Sequence, residues 1–339
     1  MGSLMHTLRC AWSRLVGAWI RIAIRRNGRE FVIPAGGFHG FAFEHGDELA
    51  LRPWLLAKPL PTTPDGSRQV YLGEGRVMQV PPKMEFLEVL GYRIPAHLIT
   101  LTGAGPHTLE PIGKAHIGLY RKHLGLEAGM AILEIGCGIG RDALQRAGIL
   151  DARGRYIGVD VTRDSIDWCR RNITPRHPNF SFHHVDARHE LYNPFGARTT
   201  LDFVLPAEDA SVDRVMLGSV FTHLFEHELL HYMKEIRRVL KPGGLAYATF
   251  FLYSEETIAA ARRTDLTPFK LRFEHARGEG CYINDPAYPT GAVAYTDAAM
   301  RRIIGAAGLR LERPYLKGWW SGAYAEADDG QEVAILAPA

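Results

Sequence analysis

The residues able to do chemistry gather around one stretch, Ala131 to Asp142, reading AILEIGCGIGRD. A short apolar run, long enough for a buried strand, meets Gly136, Cys137, Gly138, Ile139 and Gly140, and a helix is expected from Arg141. Glycines let a backbone approach a ligand closely, and the N–H groups at a helix start attract polar or anionic groups. A dinucleotide site takes G-x-G-x-x-G, with pyrophosphate over the helix. Here the third glycine arrives one residue early, and Glu134 stands just before the turn. A carboxylate there repels pyrophosphate and suits a ligand with a cationic or donor-rich end. The competing reading is a chance glycine turn in an α/β protein.

Further chemistry-bearing residues follow in order. Arg155–Asp160 reads as a second strand ending in an acid, about 20 residues past the glycines, where an acid can accept ribose hydroxyls. Asp160 could instead cap the segment TRDSIDWCRRN. Phe180–Asp186 reads as a third strand, again closed by an acid, and Asp213–Leu217 as a fourth, leading into Gly218-Ser-Val-Phe-Thr-His223. Ligands of open α/β sheets bind at the carboxyl ends of the strands, so His223 is the best-placed general base. The alternatives are a helix cap or packing beside the ligand. His227, Glu228 and His231 spell H-E-x-x-H, the zinc-protease signature. On a helix whose apolar face is Leu229, Met233, Ile236 and Leu240, both histidines fall towards solvent, and no downstream motif supplies a third ligand. No metal site is assigned.

At Glu134-x-Gly136-x-Gly138-x-Gly140 the sequence resembles the class I S-adenosylmethionine (SAM)-dependent methyltransferases, and R-V-L-K-P-G-G at Arg238–Gly244 resembles their turn into a fifth strand. The resemblance covers about residues 110–339. It implies a Rossmann-like α/β sheet flanked by helices, with SAM as cofactor. Gly136, Cys137, Gly138 and Gly140 would cradle the methionine part and Glu134 would anchor it. Asp160 would hold the ribose, Val161 would line the adenine, and Asp186 with Ala187 would read the adenine edge. A segment before the glycine turn often folds over the cofactor in such enzymes, which makes Lys114 and Tyr120 candidate contacts. S-V-F-T-H, F-F-L-Y-S-E-E and the GWW-S-G segment resemble bacterial methyltransferases encoded with glycan-synthesis enzymes. That implies in-line transfer to a sugar hydroxyl. Methylation of a small secondary metabolite on O, N or carboxylate, or a non-catalytic SAM-binding scaffold, stays open.

The elements that must position these residues divide the chain near residue 105. An N-terminal accessory domain, 1–105, is expected to be α+β or β-rich, followed by the catalytic domain, 106–339, with an insertion at about 254–295. Leu8–Arg26 has Leu8, Trp12, Leu15, Trp19 and Ile20 at helical spacing among arginines with no acid. It reads as a basic amphipathic helix, docked on its own domain or resting on a membrane interface. Residues 28–60 read as short strands and turns, and Tyr71–Gln79 as one more strand. Paired Trp319 and Trp320 could stack on a sugar or pack the edge of the fold.

The 339 residues, 46% hydrophobic and 23% charged, suit a globular protein of about two domains. A formal charge of +3 gives no case for nucleic acid. The four cysteines form no C-x-x-C pair or disulfide framework, which fits a reducing cytoplasm, and no apolar run could span a bilayer. The expected partner is a sugar or small-molecule acceptor in the cytoplasm, with Leu8–Arg26 as a candidate contact to the inner membrane face.

Overall fold

The computed structural model describes residues 108–339 apart from 190–191, 194–195, 265 and 268–269, and before these 21–26, 29–34, 48–52, 68–73, 76–80, 86–95, 98–99 and 102. Contacts divide the chain into two units, 1–109 with 190–194, and 110–189 with 195–339.

In the first unit Arg21–Arg26 pairs antiparallel with both Arg29–Pro34 and Glu48–Arg52. This corrects the helix expected over Leu8–Arg26 at its end, while residues 8–20 lie outside the described residues. Ile22, Ala23 and Ile24 between arginines suit a strand. The strand expected over Tyr71–Gln79 is instead a hairpin of Arg68–Gly73 and Arg76–Val80. Phe86–Val89 and Tyr92–Pro95 form another. Thr62–Ser67, whose sequence TTPDGS suits a turn, lies outside the described residues.

The second unit is the Rossmann-like α/β sheet. Helix α1 (Leu109–Leu124) leads into β1 (Ala131–Ile135), α2 (Arg141–Arg146), β2 (Arg155–Asp160), α3 (Arg163–Asn172), β3 (Phe180–His184) and β4 (Val212–Leu217). Helix α4 (Glu226–Val239), β5 (Leu240–Leu252) and α5 (Glu255–Thr264) follow. Three short strands come next, β6 (His275–Ala276), β7 (Cys281–Ile283) and β8 (Val293–Tyr295), then α6 (Asp297–Ala306), β9 (Leu309–Leu311) and β10 (Glu332–Pro338). The sheet runs β3-β2-β1-β4-β5-β10-β9, parallel except for β10. The chain reverses direction from β1 between β3 and β4, which opens the crevice where ligands of such sheets bind.

One face of the sheet packs Leu133, Val215 and Leu217 against Leu229, Met233 and Ile236 of α4 and Met300, Ile303 and Ile304 of α6. On α1, Tyr120 meets Tyr247 of β5 edge to face, with ring centroids 5.1 Å apart. Strand β5 starts at Leu240, inside the R-V-L-K-P-G-G string expected to be a turn, because Leu240 already pairs with Val212 and the K-P-G-G residues follow as a bulge before Leu245 pairs with Arg214. Lys241 Nζ donates to both Asp213 oxygens at 2.8 Å, and Oδ2 also accepts the Ala131 N–H, so the turn clamps the start of β1 and β4. The insertion extends the sheet: β8 pairs parallel with Phe251 and Leu252, and β7 and β6 add to it. No helix among the described residues is long and apolar enough to cross a membrane.

Candidate active site

The glycine turn sits at the carboxyl end of β1. Gly136, Gly138 and Gly140 all have positive φ, +79°, +51° and +82°. Such conformations favour glycine. The Gly136 and Cys137 N–H groups both donate to the Val159 carbonyl, which folds the turn back onto β2. Gly136 itself is exposed, while Cys137 and Gly140 are buried. A β-carbon on Gly136 would lie 2.6 Å from Val220 Cγ2, and one on Gly140 2.9 Å from Ile173 Cδ1. The turn is thus a cradle in bare backbone. Gly136→Ala is expected to cost about 1–3 kcal/mol of stability from backbone strain, before any effect on binding; a shift of the urea midpoint measures it.

Asp160, half-buried at the end of β2, accepts the Gly138 N–H at 2.6 Å on one oxygen, and the Thr162 N–H and hydroxyl at 2.7 and 2.6 Å on the other. It joins the glycine turn to the start of α3, so both roles weighed for it, turn-facing acid and helix cap, fall on one carboxylate. Each ionised carboxylate oxygen can accept more than one bond, so acceptor capacity remains. Val161 is half-buried next to it, its carbonyl 3.1 Å from His184 Nε2. At the end of β3, Ala187 is buried and bridged to Arg198, whose N–H donates to the Asp186 carbonyl. Asp186 is half-buried. The carboxyl ends of β1, β2 and β3 therefore bring the turn, Asp160 and the Asp186–Ala187 pair to one edge.

Glu134 takes a different part from the one expected of it. Its carboxylate is buried and pairs with Arg146 of α2, whose residue is wholly buried, and it accepts the Tyr156 hydroxyl at 2.7 Å. The guanidinium lies 5.0 and 5.4 Å from the ring centres of Tyr120 and Tyr156. Burial raises the Glu134 carboxyl, and Arg146 pulls against it. An anchoring charge on Glu134 is already met inside the protein. Tyr120 is buried too and donates to Asp142 at 2.9 Å, and Lys114 is exposed and paired with Glu110.

Past β4 the backbone turns sharply. Ser219 has φ +56°, an uncommon value for a residue with a side chain, held by its N–H to the Thr249 hydroxyl at 2.7 Å. The chain then makes a short 3₁₀ turn, Phe221–His223. His223 Nδ1 is 2.8 Å from the Thr290 carbonyl, in the insertion. A carbonyl only accepts, so Nδ1 carries the proton and Nε2 keeps its lone pair. Burial lowers the His223 pKa, leaving the ring neutral at pH 7. His189, beyond β3, meets it edge to face at 5.8 Å, and burial pushes its own pKa down to about 3. Sequence reasoning passed over His189 and His116, since neither belongs to a motif.

Glu228 and His231 of the H-E-x-x-H string have structural partners. Glu228 accepts the Phe225 N–H at 2.9 Å and the Thr200 hydroxyl at 2.6 Å, capping α4. His227 is exposed, but His231, expected towards solvent, is half-buried with Nε2 2.7 Å from the Phe203 carbonyl. Trp320 is buried and donates to Glu332 at 2.8 Å, while Trp319 is 51% exposed. A surface depression of about 560 Å³, lined by Met130, Arg153, Asp213 and Lys241, opens at the opposite end of β1 and β4 from the glycine turn.

Residues 132–244 match a family described as Methyltransferase domain. The chain is 25% identical over 169 residues to an arsenite methyltransferase of Aquipseudomonas alcaligenes, covering 50% of this chain and 45% of that protein. It is 27% identical over 124 residues to a demethylmenaquinone methyltransferase of Staphylococcus aureus, covering 37% and 44%. The chain thus spans less than half the length of these curated relatives. A SAM-dependent methyltransferase structure from Methanosarcina mazei superposes with a TM-score of 0.41 at 20% identity, covering 66% of this chain and 96% of that one. The glycine cradle, exposed at Gly136 and tied through Gly138 to Asp160, has the bare backbone and acceptor that such a cofactor needs. Over residues 132–244 the chain thus matches the methyltransferase domain family, and the cofactor this match implies is S-adenosyl-L-methionine.

Proposed function

We propose that the protein is a SAM-dependent methyltransferase that transfers the methyl group to a hydroxyl of a sugar or other small acceptor. The observation that carries the hydroxyl assignment is the Nδ1–H of His223 on the Thr290 carbonyl, which leaves Nε2 as a base beyond β4. When bound, the cofactor supplies a methyl group on a sulfonium, already a good leaving group. The chain's task is to hold the acceptor oxygen in line, keep water out and remove one proton. Gly136, Gly138 and Gly140 would admit the methionine part, and Asp160 would take the ribose. His223 Nε2 would receive the hydroxyl proton as the oxygen attacks. Alignment supplies most of the rate, because holding two reactants in attack geometry replaces a bimolecular encounter.

The insertion supports this reading because Thr290, which orients the base, belongs to it. A sugar acceptor rests on the resemblance of the S-V-F-T-H and GWW-S-G segments, and the 51% exposed Trp319 offers a ring for stacking. Among the described residues Cys137, Cys169 and Cys281 are buried, so none of these three presents a thiol to arsenite, the acceptor named for one relative. The test is calorimetric titration with SAM and S-adenosylhomocysteine, followed by a screen of sugar and small-molecule hydroxyls for methyl transfer. Asp160→Ala removes the acceptor shared by Gly138, Thr162 and the ribose. It is expected to weaken S-adenosylhomocysteine binding by about 100-fold, two charge-assisted bonds' worth. A wild-type protein that binds neither nucleoside would sink the assignment.

A further inference from the structure

With Glu134 engaged by Arg146, the group left to face the methionine part is of opposite sign. His116 of α1 sets Nδ1 2.9 and 3.1 Å from the two oxygens of Asp142, which stands two residues after Gly140. Asp142 is 1% exposed, and also accepts Tyr120 Oη at 2.9 Å and Arg141 Nε at 3.3 Å. Burial opposes its charge, yet His116, Arg141 and Arg146 hold its carboxyl far below the usual range. Burial likewise opposes a proton on His116, and Asp142 outweighs it, so the imidazole's pKa is raised. Asp329, before β10, adds to this from further away while accepting the Tyr247 hydroxyl at 2.7 Å. The other side of the ring faces the sheet edge. A β-carbon on Gly218, the first residue after β4, would lie 4.0 Å from His116 Cε1. The side chain stays 15% accessible, and Nε2 has no acceptor among the described residues.

We propose that His116, fixed by Asp142, is a cofactor-binding residue that receives the carboxylate of the methionine part. An imidazole beside the glycine turn, held on Nδ1 by a buried acid that favours its protonation, turns Nε2 as a donor towards an anion in front of it. Of the groups on the cofactor, only the amino-acid carboxylate is one. Asp142 is then the positioning residue, and the Tyr120 hydroxyl and Arg141 complete its bonds. This inference rests on the SAM reading above and specifies which end of the cofactor lies at α1.

The experiment compares S-adenosylhomocysteine with 5′-methylthioadenosine, which keeps the adenosine and sulfur but lacks the amino-acid end. Both are titrated calorimetrically into the full chain as wild type, His116→Ala and His116→Gln, with circular dichroism to check folding. His116→Ala is expected to bind S-adenosylhomocysteine about 10- to 100-fold more weakly, the loss of one charged hydrogen bond. Methylthioadenosine affinity should change less than about twofold, since that ligand lacks the lost contact. His116→Gln, which keeps a neutral donor, should fall between, and carries the test if the alanine variant does not fold. Equal losses for both ligands, or no loss for either, would overturn the inference and leave the cofactor reading standing. Failure of the wild type to bind either ligand would overturn the cofactor reading, and this inference with it.

Discussion

Arg146→Met is expected to lower folding stability by about 3–5 kcal/mol, read as a lower urea midpoint with an unchanged slope. The residue is wholly buried, and its guanidinium is the counter-charge of the buried Glu134 carboxylate. Removing one partner of such a pair leaves the other charge uncompensated in a medium that solvates it poorly. Methionine fills much of the space between the Tyr120 and Tyr156 rings, so the loss is electrostatic more than a cavity effect. Glu134→Gln in the same chain removes the orphaned charge while keeping an oxygen for the Tyr156 hydroxyl. The double variant should therefore recover most of the lost stability, within about 1–2 kcal/mol of wild type. The single variant should also acquire a pH dependence of defined sign. Burial already raises the Glu134 carboxyl. Without Arg146 its folded pKa lies further above the unfolded value, so the folded state binds the proton more tightly. Stability is then fully present below the unfolded pKa and falls as pH rises through the folded one. A variant as stable at pH 8 as at pH 5 would contradict this account.

The parts of the site that were legible in the sequence are those encoded over short stretches. Glycines at 136, 138 and 140 adopt positive φ where their spacing suggests a turn, and Asp160 ends β2, while the strand expected over Phe180–Asp186 stops at His184, two residues before its acid. The R-V-L-K-P-G-G string leads from α4 into β5, and the sheet order follows from alternating strands and helices. What escaped is set by packing between segments distant in sequence. Glu134 reads as a free acid at a turn, but its partner Arg146 lies on α2, and only the fold brings the guanidinium beneath β1. His116 and Asp142 are 26 residues apart, and no spacing rule links a helix face to a residue in the first turn of the next helix. His231 was expected towards solvent from its angle on α4, yet the segment around Phe203 covers that side of the helix. At Arg21–Arg26, helical spacing of the preceding tryptophans outweighed the period-two alternation of Ile22 and Ile24, and the strand pairing on both sides decides it.

The largest expected effect on catalysis lies at His223. His223→Ala should lower kcat by about 10²- to 10⁴-fold on a hydroxyl acceptor while leaving S-adenosylhomocysteine affinity unchanged. An alcohol's proton is far too tightly held to leave before attack, so the oxygen becomes a nucleophile only as a base takes that proton. Two features make this ring able to do so. The Thr290 carbonyl at 2.8 Å fixes the proton on Nδ1 and the lone pair on Nε2. Burial keeps the ring's pKa below its ordinary value, so the basic form prevails at neutral pH. The neighbouring His189, pushed down to about 3, adds no charge to compete with it. The pH profile of kcat/KM should therefore rise to a plateau through an apparent pKa below about 6.5, the ordinary histidine value. That limb should vanish in His223→Ala. His223→Gln separates the two functions of the ring, since an amide can still donate to Thr290 but cannot take a proton. If the glutamine variant is as slow as the alanine variant, proton removal is what the ring supplies. Should either variant work within about threefold of wild type, the acceptor needs no base, as a carboxylate would not.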